Sequence, residues 1–201
     1  MSEHDLLPAE RKVLERLGHL PLDFRAMAAI SNLFRASTAV RRHMERRVLA
    51  PDRLSWTSFV ALWVLWVWGE MEARDLAAAV GISKPTSTGV VTTLGRRGLV
   101  RRRRNAEDGR MVRVSLTEEG LRTIEELFPR FNAEEVALTA HLAPEEREAL
   151  AGLLRSLLRA VHDADRPAGA GRPGPAREDS PGRALTRAGR GREVSVRRRG
   201  R

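Results

Sequence analysis

Apolar positions recur at helical spacing along most of the chain. From Leu22 to about Val48, Met27, Ile30, Phe34, Val40, Met44 and Val48 return every three to six residues, predicting one long helix closed by the breaker "APDRLS". A second helix opens near Ser55, where Trp56, Phe59, Trp63 and Trp66 follow spacings of 3, 4 and 3, and Gly69 ends it. "ARDLAAAVGIS" reads as a short helix closed by Gly81. Ser83 caps the next helix, which tolerates Pro85 in its first turn, turns Ser87, Val90, Val91 and Leu94 inward and stops at Gly98. The period then changes to two. Leu99 to Arg104 and Met111 to Leu116 are predicted strands around the turn-forming "NAEDG". Thr117 caps a further helix with Glu118 and Glu119 in its first turn, where Pro129 is expected to introduce a kink. Pro144 starts the last helix, and no internal repeat is visible.

Composition adjusts this picture at the ends. Residues 163–201 carry seven Gly, four Pro and eleven Arg against five acidic residues, too few apolar groups to offset the entropy of ordering, and are expected to form a disordered basic tail. The tail holds six of the ten net positive charges of the 201-residue chain, so the rest is only mildly basic. Lysine occurs only at Lys12 and Lys84, an imbalance that tempers any argument from arginine counts. Cysteine is absent, which excludes disulfides, thiol nucleophiles and thiol-based sensing. The charged start "MSEHDLLPAERKV" does not read as a secretory signal. The most apolar window, Phe59 to Trp68, makes a helix of roughly 15 Å, about half a bilayer core. A cytoplasmic protein without membrane contact is the expectation.

The order of elements (helices, a capped helix, a two-stranded hairpin, then two helices) describes a mainly α fold with a small β-hairpin wing, a winged helix-turn-helix. In that arrangement the second helix of the turn enters the major groove and the wing reaches the backbone or minor groove. The helix from Ser83 has the side chains for groove entry. Lys84, Thr86, Thr88 and Thr92 lie opposite its inward face, and its first amides favour phosphate. Arg101 to Arg104 cannot all face DNA, because a strand sends alternate side chains to opposite faces.

Three segments, "LAAAVGISKPTSTGVV", "LGRRGLVRR" and "EDGRMVRVSLTEEG", at these spacings, resemble the MarR family of winged-helix regulators, with a looser likeness over residues 22–162. The resemblance implies a homodimer built from helices at about 22–50 and 118–162, with a DNA-binding lobe at about 54–117, on pseudo-palindromic double-stranded DNA; residues 1–21 would be an N-terminal extension. It further implies a wing-tip arginine in the minor groove, steadied by an acidic residue two positions earlier, which fall here on Arg110 and Asp108. The expected DNA-binding residues are Ser83, Lys84, Pro85, Thr86, Thr88, Gly89, Thr92, Arg96, Arg102, Arg104, Asp108 and Arg110. Gly89 stands where the family usually carries a larger residue, and "NAED" replaces a frequent acidic-basic-basic-acidic run. The tryptophans read as core; family members bind small effectors between the dimer helices and the lobe, which makes Trp56 and Trp63 candidate pocket residues.

The expected function is a sequence-specific regulator, a repressor relieved by an effector. The alternative is an architectural protein that coats DNA without sequence preference. The five histidines show no short metal-ligand spacing, and no nucleophile–base pair, P-loop or dinucleotide fingerprint is present, so no catalytic residue, metal or cofactor is expected.

Overall fold

The computed structural model describes residues 6–104 and 112–165, with the Arg104 side chain excepted. Two compact parts make up the chain, divided after Arg53.

The first part is helical. α1 (Pro8–Leu17) lies in the stretch that the sequence marks only as an extension. Pro8 occupies the first helical position, where its missing N–H costs nothing, and Glu10 folds back to accept the Leu7 amide at 2.7 Å. The other oxygen of Glu10 accepts from Asn32 Nδ2 at 2.9 Å, joining α1 to α2 (Phe24–Met44). Asp23 caps α2 by accepting from the amides of Arg25 and Ala26. The single long helix expected to Val48 instead gives way after Met44 to a π-helical turn, Glu45–Leu49.

The second part holds the winged lobe and the last two helices. α3 (Trp56–Trp68) is capped by Ser55 and closed by Gly69, whose φ of +78° suits a residue without Cβ. β1 (Met71–Glu72), which no sequence period predicts, leads into α4 (Ala73–Val80), and Gly81 in the left-handed region ends it as expected. α5 (Lys84–Arg96) follows, then β2 (Val100–Arg104) and β3 (Val112–Leu116). The sheet therefore has three antiparallel strands in the order β1-β3-β2 rather than two, because Met71 and Glu72 pair with Val114 and Arg113. α6 (Glu118–Leu138) stays helical through Pro129, and α7 (Pro144–Ala164) starts with Glu146 accepting the Ala143 amide at 2.8 Å, while Ala143 itself has no side-chain acceptor for the first-turn amides.

Leu62, Val64, Leu76, Leu94, Val114, Ile124 and Leu127 are fully buried and form the core of this part. Trp56, Trp63, Trp66 and Trp68 are half-buried rather than core. The smaller Ala61, Leu62 and Leu65 take the innermost face of α3, and the indoles border it. Phe59 stacks on Phe131 of α6 with ring centroids 4.2 Å apart, and Trp66 lies 5.3 Å from Phe128.

Candidate nucleic-acid interface

α5 presents two unlike faces. Ser87, Val91 and Leu94 are buried, while Lys84, Pro85, Thr86, Thr88, Gly89 and Arg96 are exposed and Thr92 is partly so. Ser83 caps the helix by accepting from the Thr86 amide at 3.3 Å, and its hydroxyl lies 2.8 Å from that of Thr86. The cap consumes one of the free amide donors of the first turn; the others keep the positive end of the helix dipole at the surface. Thr88 Oγ1 donates to the Lys84 carbonyl at 3.0 Å and Thr92 Oγ1 to the Thr88 carbonyl at 2.7 Å. A hydroxyl carries one proton, so in this geometry both threonines offer a groove methyl groups and acceptor lone pairs rather than donors. A Cβ added at Gly89 would meet nothing within 4 Å, so that stretch of α5 is open to close approach.

The arginines of the wing divide by strand alternation. Arg101 stands opposite Ser115 and donates to its hydroxyl at 2.9 Å. Arg103 stands opposite Arg113, and this like-charged pair is relieved by Glu70, whose carboxylate lies 3.2 Å from the Arg113 guanidinium. Arg102 shares its face with buried Val100 and Val114 and reaches α5, where Nη2 donates to the Thr88 carbonyl at 3.0 Å and to Thr92 Oγ1 at 2.6 Å. Arg104 ends β2, but its side chain, together with Asp108 and Arg110, lies outside the described residues.

The root of the wing is tied to α6. Thr117 Oγ1 donates to the Gly98 carbonyl at 2.5 Å and accepts from the Gly120 amide at 3.0 Å, while the Thr117 amide donates to the Leu99 carbonyl at 3.1 Å. Gly98, in the left-handed region at φ +71°, makes the turn from α5 into β2.

The chain is 38% identical over 164 residues to the HTH-type transcriptional regulator YwaE of Bacillus subtilis, covering 80% of this chain and 96% of that one. The MarR family model matches residues 54–112. The chain belongs to the MarR family of transcriptional regulators. Among solved structures, BpsR of Bordetella bronchiseptica, whose DNA binding is regulated by 6-hydroxynicotinic acid, is 29% identical, with a TM-score of 0.57 over 64% of this chain and 98% of that one. MepR of S. aureus, solved as a DNA complex, is 25% identical, with a TM-score of 0.59 over 66% of this chain and 97% of that one.

The matched residues run from just before α3 to the first residue of β3. Of Trp56 and Trp63, read as pocket residues from the family, Trp56 lies near the rings of Phe59 and Phe131, and Trp63 meets Trp68 edge-on at 5.5 Å. Among the described residues no group of three His, Asp or Glu side chains is arranged to hold a metal ion, and no helix is long and apolar enough to cross a membrane.

Proposed function

We propose that the protein is a dimeric repressor that binds a pseudo-palindromic operator and is released from it by a small-molecule effector. The observation that carries the DNA-binding part is the split surface of α5: a buried apolar face against the core, and an open face of Lys84, Thr86, Thr88 and Gly89 beside a wing. A helix of this kind fits the major groove, and the wing extends the footprint beyond it. Ser83, Pro85, Thr92 and Arg96 frame the same face.

Dimerisation is supported by apolar surface that a lone chain leaves in water. α7 has no buried residue and exposes Leu150, Leu153, Leu158 and Val161 at helical spacing, and within the first part α2 exposes Ile30, Phe34 and Val40. Leu153 and Phe34 are 71% and 68% exposed, which supports an association surface there. A two-fold dimer would cover the α7 stripe with its own copy and set the spacing of two half-sites.

Effector relief rests on BpsR and on the aromatic border of α3, where Trp56 and Trp63 are the pocket candidates. An effector that binds the DNA-incompetent arrangement more tightly lowers operator affinity, and DNA lowers effector affinity by the same factor. Selection of bound duplexes from a random pool tests the reading. An enriched two-fold sequence is the expected result. Displacement by random duplex as readily as by the best selected sequence would refute the sequence-specific reading and leave the architectural one. Within the enriched site, Arg110→Ala is expected to cost about 1–3 kcal/mol, the scale of a good groove contact. An unchanged affinity would remove the minor-groove role of Arg110 and, with it, that of Asp108.

A further inference from the structure

We propose that Arg102 is a positioning residue for DNA reading: it pins the wing to the recognition helix and so sets the angle at which the two meet the duplex. The inference rests on the DNA-binding reading above and reassigns a residue that the sequence marked as a DNA contact.

The register explains why Arg102, rather than Arg101 or Arg103, makes this connection. Arg102 stands opposite Val114, one pair beyond Val100 opposite Leu116 on the same face, so it belongs to the sheet face that holds the core. Its stem runs out from that apolar face, and its head meets α5 where the helix passes the sheet. Nη2 then bridges two acceptors one helical turn apart, the Thr88 carbonyl and Thr92 Oγ1. Thr92 gives its own proton to the same Thr88 carbonyl, which turns its lone pair toward the guanidinium and closes a three-membered polar ring. The ring joins, through side chains, two elements that the chain itself connects by the turn at Gly98. Both acceptors lie on or beside the open face of α5, so a change in this joint alters what that face presents.

The rival role is a phosphate contact, since the guanidinium keeps its charge at the surface. The two roles differ in salt dependence. A phosphate contact contributes about one unit to the slope of log affinity against log salt and weakens all duplexes alike when removed. A positioning residue changes neither the slope nor binding to random duplex, but lowers preference for the operator.

The experiment measures binding of the full chain and of Arg102→Ala, Thr92→Val and the double variant to the selected operator and to random duplex, across a salt series. Arg102→Ala is expected to lose about tenfold in operator affinity, the scale of a charge-assisted hydrogen-bonded pair at a surface, with slope and random-duplex affinity unchanged. Its loss should shrink in the Thr92→Val background. A slope reduced by about one with equal losses on both duplexes would overturn the proposal, as would an Arg102→Ala loss of the same size with and without Thr92. Hydrogen exchange on the DNA-free proteins gives an independent readout. Faster exchange in β2 for Arg102→Ala, not increased further by Thr92→Val, supports the pin; unchanged exchange refutes it whatever the fate of the operator reading. A wild-type chain without operator preference, by contrast, sinks the DNA-reading role for both.

Discussion

Two glycine-to-alanine substitutions, one on α5 and one on α6, should act with opposite sign, and the structure supplies the reason. At Gly120, in the first turn of α6, an added Cβ would run into the Leu99 carbonyl oxygen, with the Leu99 carbonyl carbon at 2.9 Å and Cα at 3.3 Å. These are backbone atoms, which cannot rotate away. The same Leu99 carbonyl accepts the Thr117 amide, and the Gly120 amide donates to Thr117 Oγ1, so moving either segment stretches the joint between wing and α6. Overpacking of this kind costs about 1–3 kcal/mol, and immovable backbone places Gly120→Ala at the upper end. The helix gains back about 0.5–1 kcal/mol on losing a glycine, leaving a net loss of about 2 kcal/mol. At Gly89, mid-way along α5, the new methyl meets open space, so only the helical gain of about 1 kcal/mol remains.

Thermal melts at one fixed protomer concentration read this difference, since association shifts apparent stability. For a chain of this size about 1 kcal/mol moves Tm by roughly 2–4 °C. Gly120→Ala should therefore melt about 4–8 °C below the wild type, and Gly89→Ala about 2–4 °C above it. A Gly120→Ala protein as stable as Gly89→Ala would refute the packing argument. Operator binding separates the two further: Gly89→Ala should bind more weakly despite its stability if duplex backbone or base edges approach the open stretch of α5.

Other substitutions test the remaining joints. Phe131→Ala removes the ring stacked on Phe59 and close to Trp56, and should cost about 3–5 kcal/mol by urea unfolding. Ser83→Ala removes the cap of α5 and should cost about 1 kcal/mol, visible as a lower urea midpoint with an unchanged slope. Removal of residues 166–201 should shallow the salt dependence of binding to random duplex while leaving the selected sequence the same; altered sequence preference would give the tail a reading role that its composition does not suggest.

Much of the lobe is legible in the sequence because local signals and tertiary packing agree there. Ser55, Ser83 and Thr117 cap the helices that their positions predict, and Gly69, Gly81 and Gly98 sit at helix ends with positive φ. The misses have physical causes. α1 escapes notice because its cap is made by Glu10 reaching back to a backbone amide rather than by a capping side chain at Leu7. β1 has two residues, too short for any period, and exists only because β3 offers it a free edge. The tryptophan stripe has the right spacing for one face, yet large indoles border the core while alanine and leucine fill its centre.

The arginine run shows where counting charge fails as a guide to a nucleic-acid surface. Four consecutive cations suggest a shared target, but a strand allots neighbours to opposite faces, and each face here has its own acceptors. Arg101 is turned to a serine, and Arg102 to the carbonyl and hydroxyl of a helix. The opposed strand adds Arg113, held by Glu70, to the same accounting. A guanidinium bound in this way turns its donors to the protein rather than to phosphate. Steering toward DNA and reading of DNA are then carried by different residues, and the two should separate experimentally: salt dependence follows the number of cations that reach phosphate, whereas operator preference follows the joints that fix α5 and the wing.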